Sequence, residues 1–407
     1  MRKTGSFFGN IIMAIGIGGF AGIGSIFFNI AIDGGVVLLN QLLLKSTLYY
    51  VLLPIMGGLL TLGLHHLFLK NDHSGVGIVQ ILVELDHIKT HFMKPFRVFI
   101  RVVAATITLI FGFSAGRFGP IVHLGASVGS NVGYRLKLSP ETIRILIGCG
   151  AAAAISAVFR MPLFSAVFTL EVLYRKQFSD YFAPVVISAV VANQLGILIQ
   201  GEPVVWHVDA FVIQDGFRLI LLGLSTGGVG ILYIYLINTF TEWFSKRNSR
   251  VINYLVGAVG IGLVAFLFPL NMELHAQTTI RVLMGEFSIA LLIAIAMVKL
   301  FTTALTLGTG YIGGNFYPVV TIGAALGRIF GSSSAFSVLG MGGLISSYLN
   351  APISGIIWIL EFSGQFQMLI PALIVCALSV STTHHFLNQD IFTVPFKLFN
   401  KEHEAVR

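Results

Sequence analysis

The chain is 407 residues long, 56% hydrophobic and only 10% charged, with a formal net charge of +8. A mean hydropathy of +0.88 is more apolar surface than a soluble core needs, so composition excludes a soluble enzyme and calls for an integral membrane protein. No basic patch is interleaved with aromatics, which argues against nucleic acid as a partner. Cys149 and Cys376 lie in apolar segments and suggest neither a disulfide framework nor a metal site.

The apolar runs fall, in chain order, at roughly 7–32, 48–69, 98–115, 145–173, 181–200, 217–242, 252–270, 286–308, 317–331, 336–361 and 368–387. Strands of a membrane barrel would alternate in polarity, and these runs do not. The predicted fold is all-α, an integral membrane protein. Several runs are shorter than the ~20 residues a spanning helix needs, or are broken by glycine and proline, so tilted and half-spanning helices are expected. Arg2 and Lys3 precede the first run, which is studded with glycine and lacks a clear cleavage site; a first membrane helix fits better than a signal peptide. Gly16 to Ala21 matches a dinucleotide fingerprint by letter only, and helix packing through Gly18 and Gly22 explains it better. His65-His66 and His384-His385 are adjacent pairs, which do not share a helix face as metal ligands would.

Basic residues gather at Arg2/Lys3, Lys89 to Arg101, Arg135 to Arg144, Arg175/Lys176 and Lys246 to Arg250, read as connections between apolar runs. The positive-inside rule accounts for them; an electropositive mouth that concentrates anions is the sharper alternative.

Two runs stand out, Gly116-Arg117-Phe118-Gly119-Pro120 and Gly314-Asn315-Phe316-Tyr317-Pro318. Each places glycine, phenylalanine and proline in the same order where a helix begins, and proline fits a first turn because its missing N–H costs nothing there. Two helix N-termini aimed at one point inside a membrane make an anion site from backbone dipoles. Each run is followed by a second landmark. Ile155 to Pro162 continues nine residues to Glu171, and Ile345 to Pro352 continues nine residues to Glu361. The repetition predicts two membrane repeats of inverted topology, 1–200 and 216–397, joined by 201–215 and followed by a short polar tail, 398–407.

These motifs resemble the CLC family of chloride channels and proton-coupled anion exchangers. The family's Gly-Ser-Gly-Ile-Pro signature corresponds to Gly75-Val76-Gly77-Ile78-Val79, and its two later signatures to the runs ending at Pro120 and Pro318. The resemblance implies a homodimer embedded in membrane lipid, with one anion pathway per subunit. It implies no cofactor, chloride being the transported ligand, and an inner (plasma) membrane location. It also leads to the expectation that the family's N-terminal cytosolic helix is missing.

Anion contacts carried over by the resemblance fall on Val76, Gly77, Ile78, Arg117, Phe118, Gly119, Asn315, Phe316 and Phe392. Three of these positions depart from the family pattern. Phe118 stands where the family has a glutamate that competes with the anion and carries a proton. A phenyl ring does neither. It either lines or plugs the outer pathway as a gate or is an ordinary lipid- or core-facing aromatic. Val76 and Phe392 stand where the family has serine and tyrosine hydroxyls, which leaves the backbone amides of Asn315 and Phe316, with the Asn315 side chain as a possible added donor. At the family's paired inner acids the chain has Glu171 and Val172. Glu171 could take protons in place of the valine; the plainer reading is a helix-end carboxylate satisfied by Arg175 or water.

The leading expectation is a passive anion channel or uncoupled carrier. A proton-coupled exchanger using a non-standard acid such as Glu171 is one alternative, and a non-conducting membrane scaffold is another. No Ser-His-Asp constellation or supported acid pair points to an enzyme.

Overall fold

The computed structural model describes residues 2–69, 77–88, 93–174, 178–203, 208–210, 216–247, 249–272, 277–387, 390–393 and 395. Among them are sixteen α-helices. The first eight are α1 (Arg2–Leu43), α2 (Tyr49–Phe68), α3 (Gly77–Asp86), α4 (Pro95–Ile110), α5 (Phe118–Arg135), α6 (Pro140–Phe159), α7 (Pro162–Phe168) and α8 (Phe178–Gln200). The second eight are α9 (Gly216–Ser245), α10 (Arg250–Leu267), α11 (Gln277–Leu283), α12 (Ile289–Gly308), α13 (Phe316–Phe330), α14 (Ser334–Leu349), α15 (Pro352–Ser363) and α16 (Leu369–Phe386). With no water in the bilayer to satisfy amides and carbonyls, the apolar runs close their hydrogen bonds within helices.

Among the described residues eight helices are long and apolar enough to cross a membrane, whereas α7, α13, α14 and α15 are not. At 1.5 Å per residue, the fifteen residues of α13 rise about 22 Å, short of the ~30 Å hydrocarbon core. Half-spanning helices end inside the protein, so their termini need partners there.

The two sets of eight correspond element by element, as a protein of two inverted-topology repeats requires. α5 packs on α6 as α13 packs on α14, α6 on α8 as α14 on α16, and α1 on α6 as α9 on α14. The close pairs use glycine at matching places. A Cβ on Gly125 or on Gly150 would overlap the other's carbonyl oxygen, and the same holds for Gly323 and Gly340. The helix backbones touch there, a contact that only glycine permits.

Three predicted runs differ from the structure for identifiable reasons. The first helix extends to Leu43, past the expected end at 32. Asp33 does not stop it because the Arg117 guanidinium holds that carboxylate at 2.9 Å, and the buried Val36 lies beyond. The runs 145–173 and 336–361 are each two helices, broken at Arg160 (φ 54°) and Asn350 (φ 53°), both left-handed and both two residues before a proline.

That break sets up a reciprocal device. Pro162 opens α7 and Pro352 opens α15, leaving the next amides of each without helical partners. Glu361 accepts from Leu163 N (3.0 Å) and Phe164 N (2.7 Å). Glu171 accepts from Ile353 N (3.0 Å), Ser354 N (2.6 Å) and Ser354 Oγ (2.6 Å). Each repeat's acid therefore caps the other repeat's helix. This revises the sequence expectation for Glu171. Its oxygens serve α15, and the Arg175 expected beside it lies outside the described residues.

Between α8 and α9, Asp209 accepts from Ser334 N (2.9 Å) and Ser334 Oγ (3.0 Å) at the start of α14. Those bonds hold its carboxyl below the usual aspartate range.

If the two acids are reciprocal caps, Glu171→Ala and Glu361→Ala should each destabilise the protein by a similar amount, about 1–3 kcal/mol, because helix-start amides lose a charged acceptor. Thermal unfolding of the detergent-solubilised variants measures this. A loss at one position only would show that the two acids are not equivalent.

Candidate functional site

The two glycine-proline runs meet. Gly116 N donates to Gly314 O at 2.6 Å and Gly314 N donates to Gly116 O at 2.7 Å, an isolated antiparallel bridge between the repeats. The approach depends on residues without side chains. A Cβ on Gly314 would stand 2.6 Å from Gly119 N, and one on Gly116 would stand 2.8 Å from the Tyr317 Cβ. Immediately after the bridge, α5 starts at Phe118 and α13 at Phe316.

Neither Arg117 nor Asn315, the residues before these helices, supplies a side-chain cap. The first-turn amides are the positive ends of two helix dipoles. Such an arrangement stabilises an anion without any side-chain charge.

Around it is a closed aromatic cluster. Phe118, 2% exposed, stacks on Phe316 with ring centroids 4.3 Å apart and planes 13° from parallel. Phe168 meets Phe118 edge-on at 4.8 Å. Phe164 packs on both Phe118 (6.1 Å) and Phe316 (5.6 Å), and Trp358 is 5.1 Å from both Phe316 and Phe164. Phe118 faces protein rather than lipid, and its partner is the first residue of the opposing half-helix. Val172 is also buried, 2% exposed.

The remaining residues carried over by the resemblance take different places. The Arg117 side chain turns to α1, where Nη1 bonds Asp33 Oδ1 at 2.9 Å and also Asn29 Oδ1. Asn29 in turn donates to Gln200 on α8 at 2.9 Å. With its charge matched by Asp33, Arg117 offers the site its backbone rather than its guanidinium. Gly119 lies against Gly314, where a Cβ would stand 3.2 Å from the Gly314 Cα. Gly77 and Ile78 open α3 and are buried, with Gly77 pressed against His123; Val76 lies outside the described residues. Phe392 is buried, with its amide on Asp390 Oδ1 (3.0 Å) and its neighbour Ile391 bonded to Tyr348 O (3.3 Å). No described ring contact joins it to Phe118 or Phe316.

Sequence reasoning missed several residues. Tyr233 on α9 donates to Asn315 O at 3.1 Å and meets Tyr348 edge-on at 6.0 Å, placing a hydroxyl beside the start of α13. Asn315 Nδ2 and Trp358 Nε1 are buried nitrogens without a hydrogen-bond partner, and both flank Phe316 by sequence or ring contact. Arg101, read from sequence as part of a basic connection, is instead inside α4 and 3% exposed. Glu84 on α3 is fully buried, accepting from Met93 N at 2.7 Å and from Ser130 Oγ. The available signal was a charged residue within an otherwise helical apolar pattern, as at Arg101.

The family model for voltage gated chloride channels matches residues 57–384. The H(+)/Cl(−) exchange transporter ClcA of Yersinia pestis is 29% identical over 339 residues, covering 75% of this chain and 68% of that protein. The fold is that of a slow cyanobacterial Cl−/H+ antiporter, with a TM-score of 0.84 at 22% identity, over 98% of this chain and 99% of that one. A CLC-type fluoride/proton antiporter superposes with a TM-score of 0.80 at 22% identity, over 96% and 98% of the two chains. With two helix starts meeting at Gly116 and Gly314, and a match covering most of its length, the chain belongs to the voltage-gated chloride channel (CLC) family.

Proposed function

We propose that this protein carries chloride or a similar small anion across the inner (plasma) membrane, past the N-termini of α5 and α13. The observation that carries the reading is the Gly116–Gly314 bridge, which fixes two uncapped helix starts side by side inside the protein. On this reading the repeats at 1–200 and 216–397 form one pathway per subunit, the working unit is a homodimer and no cofactor takes part.

The name of the Yersinia pestis relative favours proton-coupled exchange over the passive channel expected from sequence. Exchange requires a titratable group beside the pathway. Phe118 and Val172 have none, and Glu171 is engaged in capping α15. An exchanging form of this protein would hold its proton on another group. Uncoupled conduction is the second reading, carried by the phenyl ring at 118 stacked on Phe316.

Purified protein in liposomes tests both readings. Chloride is expected to leave down its gradient. Uphill proton movement in fixed ratio identifies exchange, and chloride flux without it identifies the uncoupled mode. No anion flux under any condition overturns transport. If exchange is observed, Glu171→Gln should leave the anion:proton ratio unchanged, because that carboxylate serves as a helix cap.

Phe118→Ala should raise anion flux several-fold by opening the aromatic cluster, provided thermal unfolding shows the variant folded. Phe118→Glu should make flux fall as pH rises, since an ionised carboxylate competes with the anion and protonation relieves it. Unchanged flux and pH response in both would place residue 118 off the pathway.

Asn315 supplies a buried N–H donor at the start of α13 where serine and tyrosine hydroxyls are absent from the chain's matching positions. Asn315→Leu should weaken chloride binding about tenfold, the loss of one hydrogen bond to an ion. Calorimetry on the detergent-solubilised protein reads this directly, and an unchanged affinity would remove the side chain from the site.

A further inference from the structure

The outer faces of α2 and α10 are apolar and open, and both run up to one basic rim. The two helices pack antiparallel: a Cβ on Gly58 would stand 2.6 Å from the Ala258 Cβ, and one on Gly262 would stand 3.1 Å from Val51 O. The end of α2 therefore meets the start of α10, where His65 lies against Tyr254 with ring centroids 5.9 Å apart. Asn253 donates to Phe244 O at 2.9 Å, which fixes the end of α9 beside them. Phe68 meets Phe96 edge-on at 5.9 Å, which adds the start of α4. These four helix ends bring together Lys94, Arg97, Lys246, Arg247 and Arg250. Among the described residues at these ends, the acidic one is Glu242. α2, α9 and α10 are long and apolar enough to span, so the rim lies at the membrane surface, and its excess of Lys and Arg assigns it to the cytoplasmic side.

Arg247 is the residue of the rim best prepared for a ligand. Its guanidinium carbon stands 4.2 Å over the Trp243 ring and 5.8 Å over the Phe244 ring. Stacking uses the face of a planar cation and leaves the N–H groups in its plane for a forked acceptor. Lys246 is the next residue, and both cations are exposed. Among the described residues no carboxylate lies within ion-pair distance of either. Two oxygens of a phosphate fit the guanidinium fork. Trp243 is 51% exposed, an amphipathic ring at the level where headgroups meet hydrocarbon. From the rim, Leu255, Val259, Leu263 and Phe266 recur every three or four residues along α10, between 39% and 53% exposed. A ligand that fits both parts has an anionic phosphate head and hydrocarbon chains.

We propose that this rim and stripe bind an anionic phospholipid, its phosphate on Arg247 and Lys246 and an acyl chain along α10. The inference goes beyond the anion-transport reading and does not depend on it.

Quenching of Trp243 by brominated lipid tests it. The full-length protein is reconstituted in phosphatidylcholine vesicles doped with chain-brominated phosphatidylglycerol, or with the same amount of equally brominated phosphatidylcholine. Comparison with Trp243→Phe separates the Trp243 signal from those of Trp206 and Trp358. Brominated phosphatidylglycerol should quench Trp243 at a lower content than brominated phosphatidylcholine. A cation near the membrane surface enriches an anionic lipid about fivefold, so Arg247→Gln should lower the preference by about that factor. Lys246→Gln with Arg247→Gln should abolish it, whereas Arg247→Lys, which keeps the charge, should keep most of it. Equal quenching by the two lipids overturns the proposal, as does a preference unchanged in the double variant. Quenching by neither lipid would show that a second copy or another segment covers Trp243, and would also overturn it. Loss of the preference in excess inorganic phosphate would mark a free-phosphate site instead of a lipid site. If a variant does not fold, the comparison of the two lipids on the unmodified protein decides. Anion flux does not enter this readout, so failure of the transport reading would leave the lipid site standing, and the reverse.

Discussion

The two hydrogen bonds between Gly116 and Gly314 are the constraint on which the rest of this membrane protein depends. They join the starts of α5 and α13 at backbone distance and leave no room for side chains between them. A half-helix that ends inside a bilayer exposes amides that lipid cannot satisfy. Bringing two such ends together concentrates partial positive charge in one place, where an anion is the natural complement. The glycine contacts of α5 with α6 and of α13 with α14 hold each helix in its own repeat, so that the bridge has fixed supports.

The same difficulty recurs at α7 and α15, and the chain meets it differently. There the helix starts receive a carboxylate from the opposite repeat, Glu361 for α7 and Glu171 for α15. Removing a charged acceptor from helix-start amides that have no helical partner costs more than a surface ion pair contributes, so these acids tie the repeats together. The contrast is informative. Capped starts are structural joints, whereas the starts at Phe118 and Phe316 have no side-chain cap, and the proposed anion pathway runs past them.

The aromatic cluster gives the site its character. Phe118 and Phe316 stack across the interface of the repeats, enclosed by Phe164, Phe168 and Trp358. Such a wall excludes water, which strengthens dipole–anion attraction, and it also resists the passage of a hydrated ion. Proton exchange, favoured by the name of a relative, calls for a titratable group that this wall does not contain. Of the buried polar residues nearby, Tyr233 and Glu84 are on other helices, α9 and α3, and His123 is on α5 itself, beyond its first turn.

By itself the sequence determined the class of protein, the repeat and the two helix starts. Hydropathy forces a membrane fold, and glycine with proline at fixed spacing dictates local backbone whatever surrounds it. Hydropathy marked only the start of α5 and not its length, because Gly125, Ser127, Gly129, Ser130 and Asn131 depress it although α1, α3, α4 and α6 cover the helix. The sequence also set Arg101 on a connection, because charge alone does not say whether a residue faces solvent or the protein interior. Partnership was decided only by tertiary structure. Glu171 and Ile353 are 182 residues apart, and Arg117 and Asp33 are 84 apart. Whether a carboxylate titrates, pairs or caps depends on donors brought beside it by folding, and no local pattern encodes those contacts.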